Sequence, residues 1–80
     1  MRDYAIIFGK TETGWSAYVP DLPGLIAAGS TLEETQQLMR EGLEMHLGSM
    51  LEDGDAIPEP STHVMTMRAA VLEHRLAKSA

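Results

Sequence analysis

A chain of 80 residues is long enough for one domain, and a domain of this size buries only about 60 to 65 % of the surface that its unfolded form exposes. The chain has no cysteine, which excludes disulfides and thiolate metal sites, and its formal net charge of −6 disfavours binding to nucleic-acid phosphates. Self-association is therefore the remaining way to add stability.

The chain does not begin like a targeting segment. Residues 1–3 lead straight into a short strand-like run, not into the apolar core of a signal peptide. No apolar run approaches the roughly 20 residues that a bilayer-spanning helix needs. Together with the lack of cysteine, these features predict a soluble protein of the cytoplasm without a membrane anchor.

Three strands are predicted in the first part of the chain. Residues 3–10 carry apolar side chains on both alternating sets, as in a strand that is covered on both faces. A polar turn ending at Gly14 leads to residues 15–19, which resume a period of two, so the pair is predicted to form an antiparallel hairpin. Residues 25–28 supply a third strand. The prediction is an antiparallel meander.

The second and third strands are joined by the turn Pro-Asp-Leu-Pro-Gly. Pro20 and Pro23 hold φ at about −65° and end the second strand, and Gly24 can adopt a positive φ. We interpret Asp21 as a turn former in preference to a contact residue.

A long helix is predicted over residues 31–53. Ser30 with Glu33, and Thr31 with Glu34, both have the spacing of a capping box, in which a hydroxyl and a carboxylate satisfy free amides of the first turn. Either pair predicts a helix start at this place.

The helix has one apolar face and ends at a glycine. Gly54 occupies the C′ position, and Gly42 indicates either close approach of another backbone or a glycine without a packing role. The predicted buried stripe consists of Leu32, Met39, Leu43, Leu47, Met50 and Leu51.

The helix and the loop after it are acidic. Residues 33–59 contain eight carboxylates and one basic side chain. Such a surface attracts a basic protein through its summed field. We take Glu33, Glu41, Glu44 and Glu52 as a candidate partner-binding face, the alternative being an ordinary solvated helix surface.

The last part of the chain is predicted to return to the sheet. Residues 53–61 form a turn-rich loop, residues 62–68 alternate well enough for a fourth strand, and residues 69–78 are compatible with a short helix. We divide the chain into an αβ domain over 1–68 and a tail over 69–80 that is helical or disordered.

One helix covers one side of a sheet, whereas the first and third strands are apolar on both sides. A second copy of the chain would cover the other face, so we predict a homodimer or a higher even oligomer.

No catalytic, metal-binding or cofactor-binding constellation emerges. His46, His63 and His74 show no ligand spacing, and the glycines lie in separate turns that form no phosphate-binding loop. Glu41 and Glu44 are neighbours on the helix, but nothing else converges on them. We therefore predict that the protein is not an enzyme.

Four motifs in register resemble the HicB family of antitoxins. They are YVPDLPG at 18–24, GSTLEE at 29–34, EGLEMHL at 41–47 and EDGDAIPEPS at 52–61, and the resemblance extends over residues 4–68. It implies an α+β fold of β-β-β-α-β order, an incomplete ribonuclease H-like layout. A right-handed crossover through the helix would give the strand order 3-2-1-4. Nuclease chemistry of this fold requires carboxylates that project from the central strands, whereas the first strand has only Asp3 at its edge and residues 62–68 have none, so nuclease activity should be absent.

The resemblance also implies a partner. Family members neutralise HicA, a small basic toxin with a double-stranded-RNA-binding-like fold that cleaves mRNA. The hypothesis is that this chain occludes such a toxin, with acidic residues speeding association and an apolar patch holding the complex. Full-length antitoxins also carry a C-terminal DNA-binding domain, for which residues 69–80 leave no room, so a short form without DNA binding is expected.

A second hypothesis belongs to a different class. The chain would be a stand-alone oligomeric binding module that has no toxin partner and no catalytic activity. Gene order discriminates between the two, because an antitoxin is expected beside a short basic reading frame.

Overall fold

The computed structural model describes residues 2–71 and shows three antiparallel strands followed by one helix. The elements are β1 (Ile7–Lys10), β2 (Trp15–Tyr18), β3 (Ile26–Gly29) and α1 (Leu32–Glu52). The strands lie in the order β1-β2-β3, with antiparallel pairing between neighbours. The predicted meander and the long helix after it are thereby confirmed as an α+β fold.

The first strand is shorter than its apolar pattern suggested. Pairing between β1 and β2 begins where Ile7 lies opposite Tyr18. Beyond Tyr18 the second strand runs into Pro20, which has no amide hydrogen to donate to a ladder. Residues 3–6 therefore have no strand to pair with on that side.

The core lies between the sheet and the helix. Ala17, Val19, Leu22 and Met39 are each at most 2 % exposed, so the inward face of β2 and the middle of α1 meet there. The backbone of α1 lies close to β3 and β2 but not to β1. Partly buried apolar residues surround this core: Tyr4, Ile6, Phe8, Leu25, Ala27, Leu43, Leu47 and Met50. The helix thus covers one sheet face and leaves the β1 side less covered.

Thr31 is the N-cap of α1, so the helix uses one of the two caps that the sequence allowed. The Thr31 hydroxyl accepts a hydrogen bond from the amide of Glu34 at 3.0 Å, and the Glu34 carboxylate accepts one from the amide of Ser30 at 2.9 Å. Ser30 contributes its main chain to the cap. Glu33 remains exposed in the first turn.

The helix ends in a Schellman motif at Gly54. Its φ is +74°, the Gly54 amide donates to the Leu51 carbonyl at 3.2 Å, and the Asp55 amide donates to the Met50 carbonyl at 2.9 Å. A positive φ at this position favours glycine, which explains why the helix stops there.

Gly29 and Gly42 have different surroundings. A Cβ added at Gly29 would lie 2.7 Å from the Thr35 hydroxyl and 2.9 Å from the Glu34 carboxylate, so β3 can approach the helix start because it ends in glycine. At Gly42 the nearest such atom is a Leu25 methyl carbon at 3.5 Å, an ordinary contact. The close backbone approach considered for Gly42 is not observed.

The predicted fourth strand is not found in the structure, which corrects the expectation from the sequence. Residues 62–68 have no regular secondary structure, are exposed, and do not pair with β1, so the order 3-2-1-4 is not formed among residues 2–71. Residues 69–71 are not helical either, and the rest of the predicted C-terminal helix lies outside the described residues. The ribonuclease H-like layout stays a prediction, since it depends on the fourth strand.

The path of the chain explains this difference. After α1 the chain first meets residues preceding β1, where Glu59 pairs with Arg2 at 3.1 Å and the Pro58 carbonyl accepts a hydrogen bond from the Tyr4 hydroxyl. It then reaches Asp21, which follows β2 at the same end of the sheet. The chain therefore crosses this end from the β1 side toward the β2 side, away from the open edge of β1.

Candidate functional site

The four carboxylates singled out from the sequence share one exposed side of α1. At about 100° per residue, Glu33, Glu41, Glu44 and Glu52 fall within about 100° of arc, opposite the buried Met39. We call these four residues the acidic face. The Gln37 amide donates a hydrogen bond to the Glu41 carboxylate at 2.9 Å and holds that side chain along the helix.

Two apolar residues border the acidic face. Leu38 is 41 % exposed and Met45 is 75 % exposed, and they lie seven residues apart on the same side of the helix. We call this pair the apolar flank. The sequence prediction missed it, although both residues stand outside the inward stripe. Leu51, which was assigned to that stripe, is 66 % exposed.

The outer face of the sheet carries an uncovered apolar row. Ile7 lies opposite Tyr18, which lies opposite Ile26, so the three side chains cross the sheet side by side. Tyr18 is 50 % exposed and Ile26 is 75 % exposed. This row is a second surface able to receive a partner.

The Pro-Asp-Leu-Pro-Gly turn does more than join two strands. Two hydrogen bonds hold the turn, one from the Leu22 amide to the Val19 carbonyl and one from the Leu25 amide to the Leu22 carbonyl. Gly24 has a φ of +89°. Pro20 and Pro23 flank Leu22, whose side chain is buried in the core. The turn is therefore anchored by its own apolar residue.

Asp21 binds a distant part of the chain. Its carboxylate accepts hydrogen bonds from the amide and hydroxyl of Ser61 at 3.0 and 2.8 Å, and from the amide and hydroxyl of Thr62 at 3.2 and 2.9 Å. The bond from the Ser61 amide, followed by the one from its hydroxyl, is the main reason that the pKa of Asp21 falls to about 2. The interpretation of Asp21 as only a turn former was incomplete.

The described residues offer no assembled centre for metal chemistry. Within residues 2–71, no three histidine, aspartate or glutamate side chains come together in a group that could hold a metal ion. His46 is partly buried on the helix, His63 is exposed, and His74 lies outside the described residues. In the same part of the chain, no helix has the length and apolar character to cross a membrane.

A three-stranded meander crossed on one face by a single long helix places the chain among small α+β domains. The chain belongs to the HicB-like antitoxins, because the family model described as "HicB_like antitoxin of bacterial toxin-antitoxin system" matches residues 4–74. The prediction of the family from its four motifs is confirmed.

Two relatives match most of the chain, and one of them is a named antitoxin. Antitoxin HicB 2 of Photorhabdus laumondii is 36 % identical over 59 residues, covering 74 % of this chain and 42 % of that protein. An uncharacterised 14.9 kDa protein from the rep-hol intergenic region of Haemophilus phage HP1 is 38 % identical over 56 residues, covering 70 % and 42 %. The chain therefore spans less than half the length of these two relatives.

A solved structure has the same fold. A chain of the HicA3 and HicB3 toxin-antitoxin complex superposes with a TM-score of 0.64 at 28 % identity, covering 75 % of this chain and 70 % of that chain. This likeness connects the fold with a toxin-antitoxin assembly in the related protein.

Proposed function

We propose that the chain binds a small basic HicA-type toxin and blocks it by occlusion, without catalysis of its own. Membership of the HicB-like antitoxins supports a role in a toxin-antitoxin system. The related solved structure is a complex of HicA3 with HicB3, which supports the choice of partner. The cytoplasm, where mRNA is translated, is the proposed site of action.

The observation that carries the proposal is the composition of the exposed side of α1. The acidic face supplies negative charge for steering a basic partner, and the apolar flank supplies area that loses contact with water on binding. Charge alone accelerates association, whereas a buried apolar anchor slows dissociation. Having both on one helix suits a tight complex with a basic protein.

The acidic surface also bears on nucleic acid. Carboxylates facing solvent repel the phosphate backbone. We therefore propose that residues 2–71 bind the toxin protein and not its RNA substrate or DNA. A gel-shift experiment with the promoter region at moderate salt is expected to show no specific complex.

The test is to search beside this gene for a short reading frame that encodes a small basic protein, to co-express that protein with the chain, and to measure binding of the purified pair. We expect rescue from toxicity and a stable complex. Reversing two charges in the middle of the helix, with Glu41→Lys and Glu44→Lys, is expected to weaken binding at least about 10-fold and to abolish rescue.

The matched control changes the net charge by the same amount, but at residues outside the helix. Asp3 and Glu12 are exposed and lie outside the helix, so Asp3→Lys with Glu12→Lys should leave binding within about 3-fold of the parent. Equal losses in both double variants would show that only net charge matters and would overturn the assignment to α1. If the parent chain showed neither binding nor rescue, the proposed function itself would be overturned.

The second candidate is a stand-alone oligomeric binding module, and the outer apolar row favours it. Ile7, Tyr18 and Ile26 are available for a partner other than a toxin. This candidate predicts that no toxic small protein is encoded beside the gene and that Tyr18→Lys, not the helix charge reversal, removes the binding activity.

A further inference from the structure

Residues 62–71 leave the body of the domain with their apolar side chains in solvent. Val64 is 59 % exposed, Met65 is 62 % exposed, Met67 is 82 % exposed and Val71 is 63 % exposed. Met65 and Met67 fall on the same alternating set, as they would along one face of a strand. The segment has the pattern of a strand but no strand partner within the described part of the chain.

The sheet has an open edge at β1. β1 pairs with β2 on one side, and no strand lies on its other side among residues 2–71. An edge of this kind exposes amide and carbonyl groups that can accept another strand. The strand itself has four residues, Ile7–Lys10, and residues 4–6 precede it without a strand partner, so the edge can pair with part of the segment 62–68.

A groove lies beside this edge because α1 leans over β3 and β2. It has a volume of about 270 Å³. Ile6 and Phe8 line it from the strand side, and the helix contributes Gln36, Met39, Arg40 and Leu43. A strand added to β1 would direct one alternating set of side chains into this groove. Methionine suits an irregular apolar groove because its side chain is unbranched and adaptable.

The segment of the same chain does not occupy this groove. Asp21 holds Ser61 and Thr62 at the end of β2, after the chain has already passed the start of β1. From there the segment would have to reverse in order to reach its own β1 edge. The hydrogen-bonded tether thus leaves the apolar side chains that follow it exposed to solvent.

We propose that residues 62–68 of one copy add to the open edge of β1 in a second copy, with Met65 and Met67 in the groove. The exchange is reciprocal, so it closes as a two-fold dimer and leaves no unpaired β1 edge. It also buries the methionines of both chains, which supplies the stability that a small domain lacks. The dimer uses a different surface from the toxin-binding face and does not depend on that function.

The first experiment uses cysteine crosslinking, for which the chain is suited because it contains no cysteine of its own. Full chains carrying Gln36→Cys are mixed with full chains carrying Met67→Cys and treated with a short bismaleimide. We expect a crosslinked dimer of one chain of each kind. The matched pair of Glu12→Cys with Met67→Cys should give none, because Glu12 lies in the β1–β2 turn, outside the groove.

The second experiment measures assembly by analytical ultracentrifugation of the full chain. We expect a dimer at micromolar concentration, weakened at least about 100-fold by Met65→Asp with Met67→Asp. Val71→Asp, at a similarly exposed residue outside the exchanged strand, should leave the dimer intact. Circular dichroism checks that each variant keeps the helix.

Three results would overturn the proposal. A monomer at micromolar concentration excludes the exchange. A dimer that gives no mixed crosslink and tolerates the aspartate pair uses another surface. An intramolecular crosslink at nanomolar concentration, in one chain carrying both Gln36→Cys and Met67→Cys, places the segment on its own β1 edge.

Discussion

Asp21 accepts hydrogen bonds from both the amide and the hydroxyl of Ser61, a residue 40 positions further along the chain. The turn between β2 and β3 is thereby tied to the segment that follows α1. Because these are charge-assisted bonds, they depend on the ionised carboxylate.

The tie is expected to depend on pH. Its carboxyl has a pKa of about 2 in the folded chain, against an ordinary value of 3.8. Because the pKa is lower in the folded chain, the ionised carboxylate stabilises the fold at pH values above the ordinary pKa of 3.8. This contribution disappears as the pH falls from about 4 to about 2. NMR titration of the Asp21 carboxyl carbon should give a midpoint near 2. A midpoint near 4 would contradict the hydrogen-bonded geometry.

Removing the charge of Asp21 should release the segment without unfolding the domain. In Asp21→Asn, the amide group can no longer accept four hydrogen bonds as the carboxylate does, so the amides of Ser61 and Thr62 should exchange with solvent faster. Amide hydrogen exchange followed by NMR measures this directly. Asp55→Asn is the matched control, because Asp55 uses only its main chain in the helix stop. Unchanged exchange at Ser61 in Asp21→Asn would contradict the tie.

Two neighbouring hydroxyls at the start of the helix should contribute differently to stability. Thr31→Ala should lower the free energy of unfolding by about 1 kcal/mol, since its hydroxyl caps the Glu34 amide. Ser30→Ala should cost less than half of that, because Ser30 contributes only its amide to the cap. Urea denaturation of both variants provides the measurement. A larger loss of unfolding free energy for Ser30→Ala than for Thr31→Ala would indicate that Ser30, and not Thr31, caps the helix.

Two glycines should respond to alanine with opposite signs. Gly42→Ala is expected to raise the free energy of unfolding by up to about 1 kcal/mol, because the new methyl meets a Leu25 methyl at 3.5 Å and glycine is a poor helix former. Gly29→Ala should destabilise, because its methyl would crowd the Thr35 hydroxyl at 2.7 Å. Thermal unfolding of the pair tests both signs. Destabilisation by Gly42→Ala would indicate a closer neighbour at that face.

Toxin binding should divide into a charge contribution and an apolar contribution. Glu44→Gln is expected to lower the association rate, and more so at low salt, because Glu44 contributes to steering. Met45→Ala is expected to raise the dissociation rate about 10-fold while leaving stability unchanged, since this side chain is 75 % exposed in the free chain. Surface plasmon resonance at two salt concentrations separates the rates. If the Met45→Ala variant dissociated at the same rate as the parent chain, Met45 would not be part of the contact.

Local patterns predicted the helix and its ends well. Thr31, Glu34 and Gly54 act through neighbours within a few positions, so their roles could be inferred from spacing. The meander followed from two short runs that are apolar on both alternating sets, from the period of two in the second strand, and from the proline turn. The sequence does not distinguish between the two overlapping capping boxes, because both have the same spacing.

Interactions across long separations could not be predicted in this way. Asp21 was recognised as part of a turn, but its bonds to Ser61 and Thr62 join positions whose separation carries no periodic signal. Residues 62–68 have a strand pattern, yet a strand also needs an accessible edge, and the path past Asp21 leads away from the edge of β1. The apolar flank could not be predicted from the helical period, because Leu38 and Met45 lie outside the inward stripe and single exposed apolar residues are common on helix surfaces.

The tie at Asp21 also has a consequence for the order of folding. It closes a loop that contains all of β3 and α1, so the chain loses a large amount of freedom when the ends of that loop meet. The hairpin of β1 and β2 and the turns of α1 need only local closures and can form before it. We therefore expect the contact between Asp21 and Ser61 to form late in folding, after the sheet and the helix have docked.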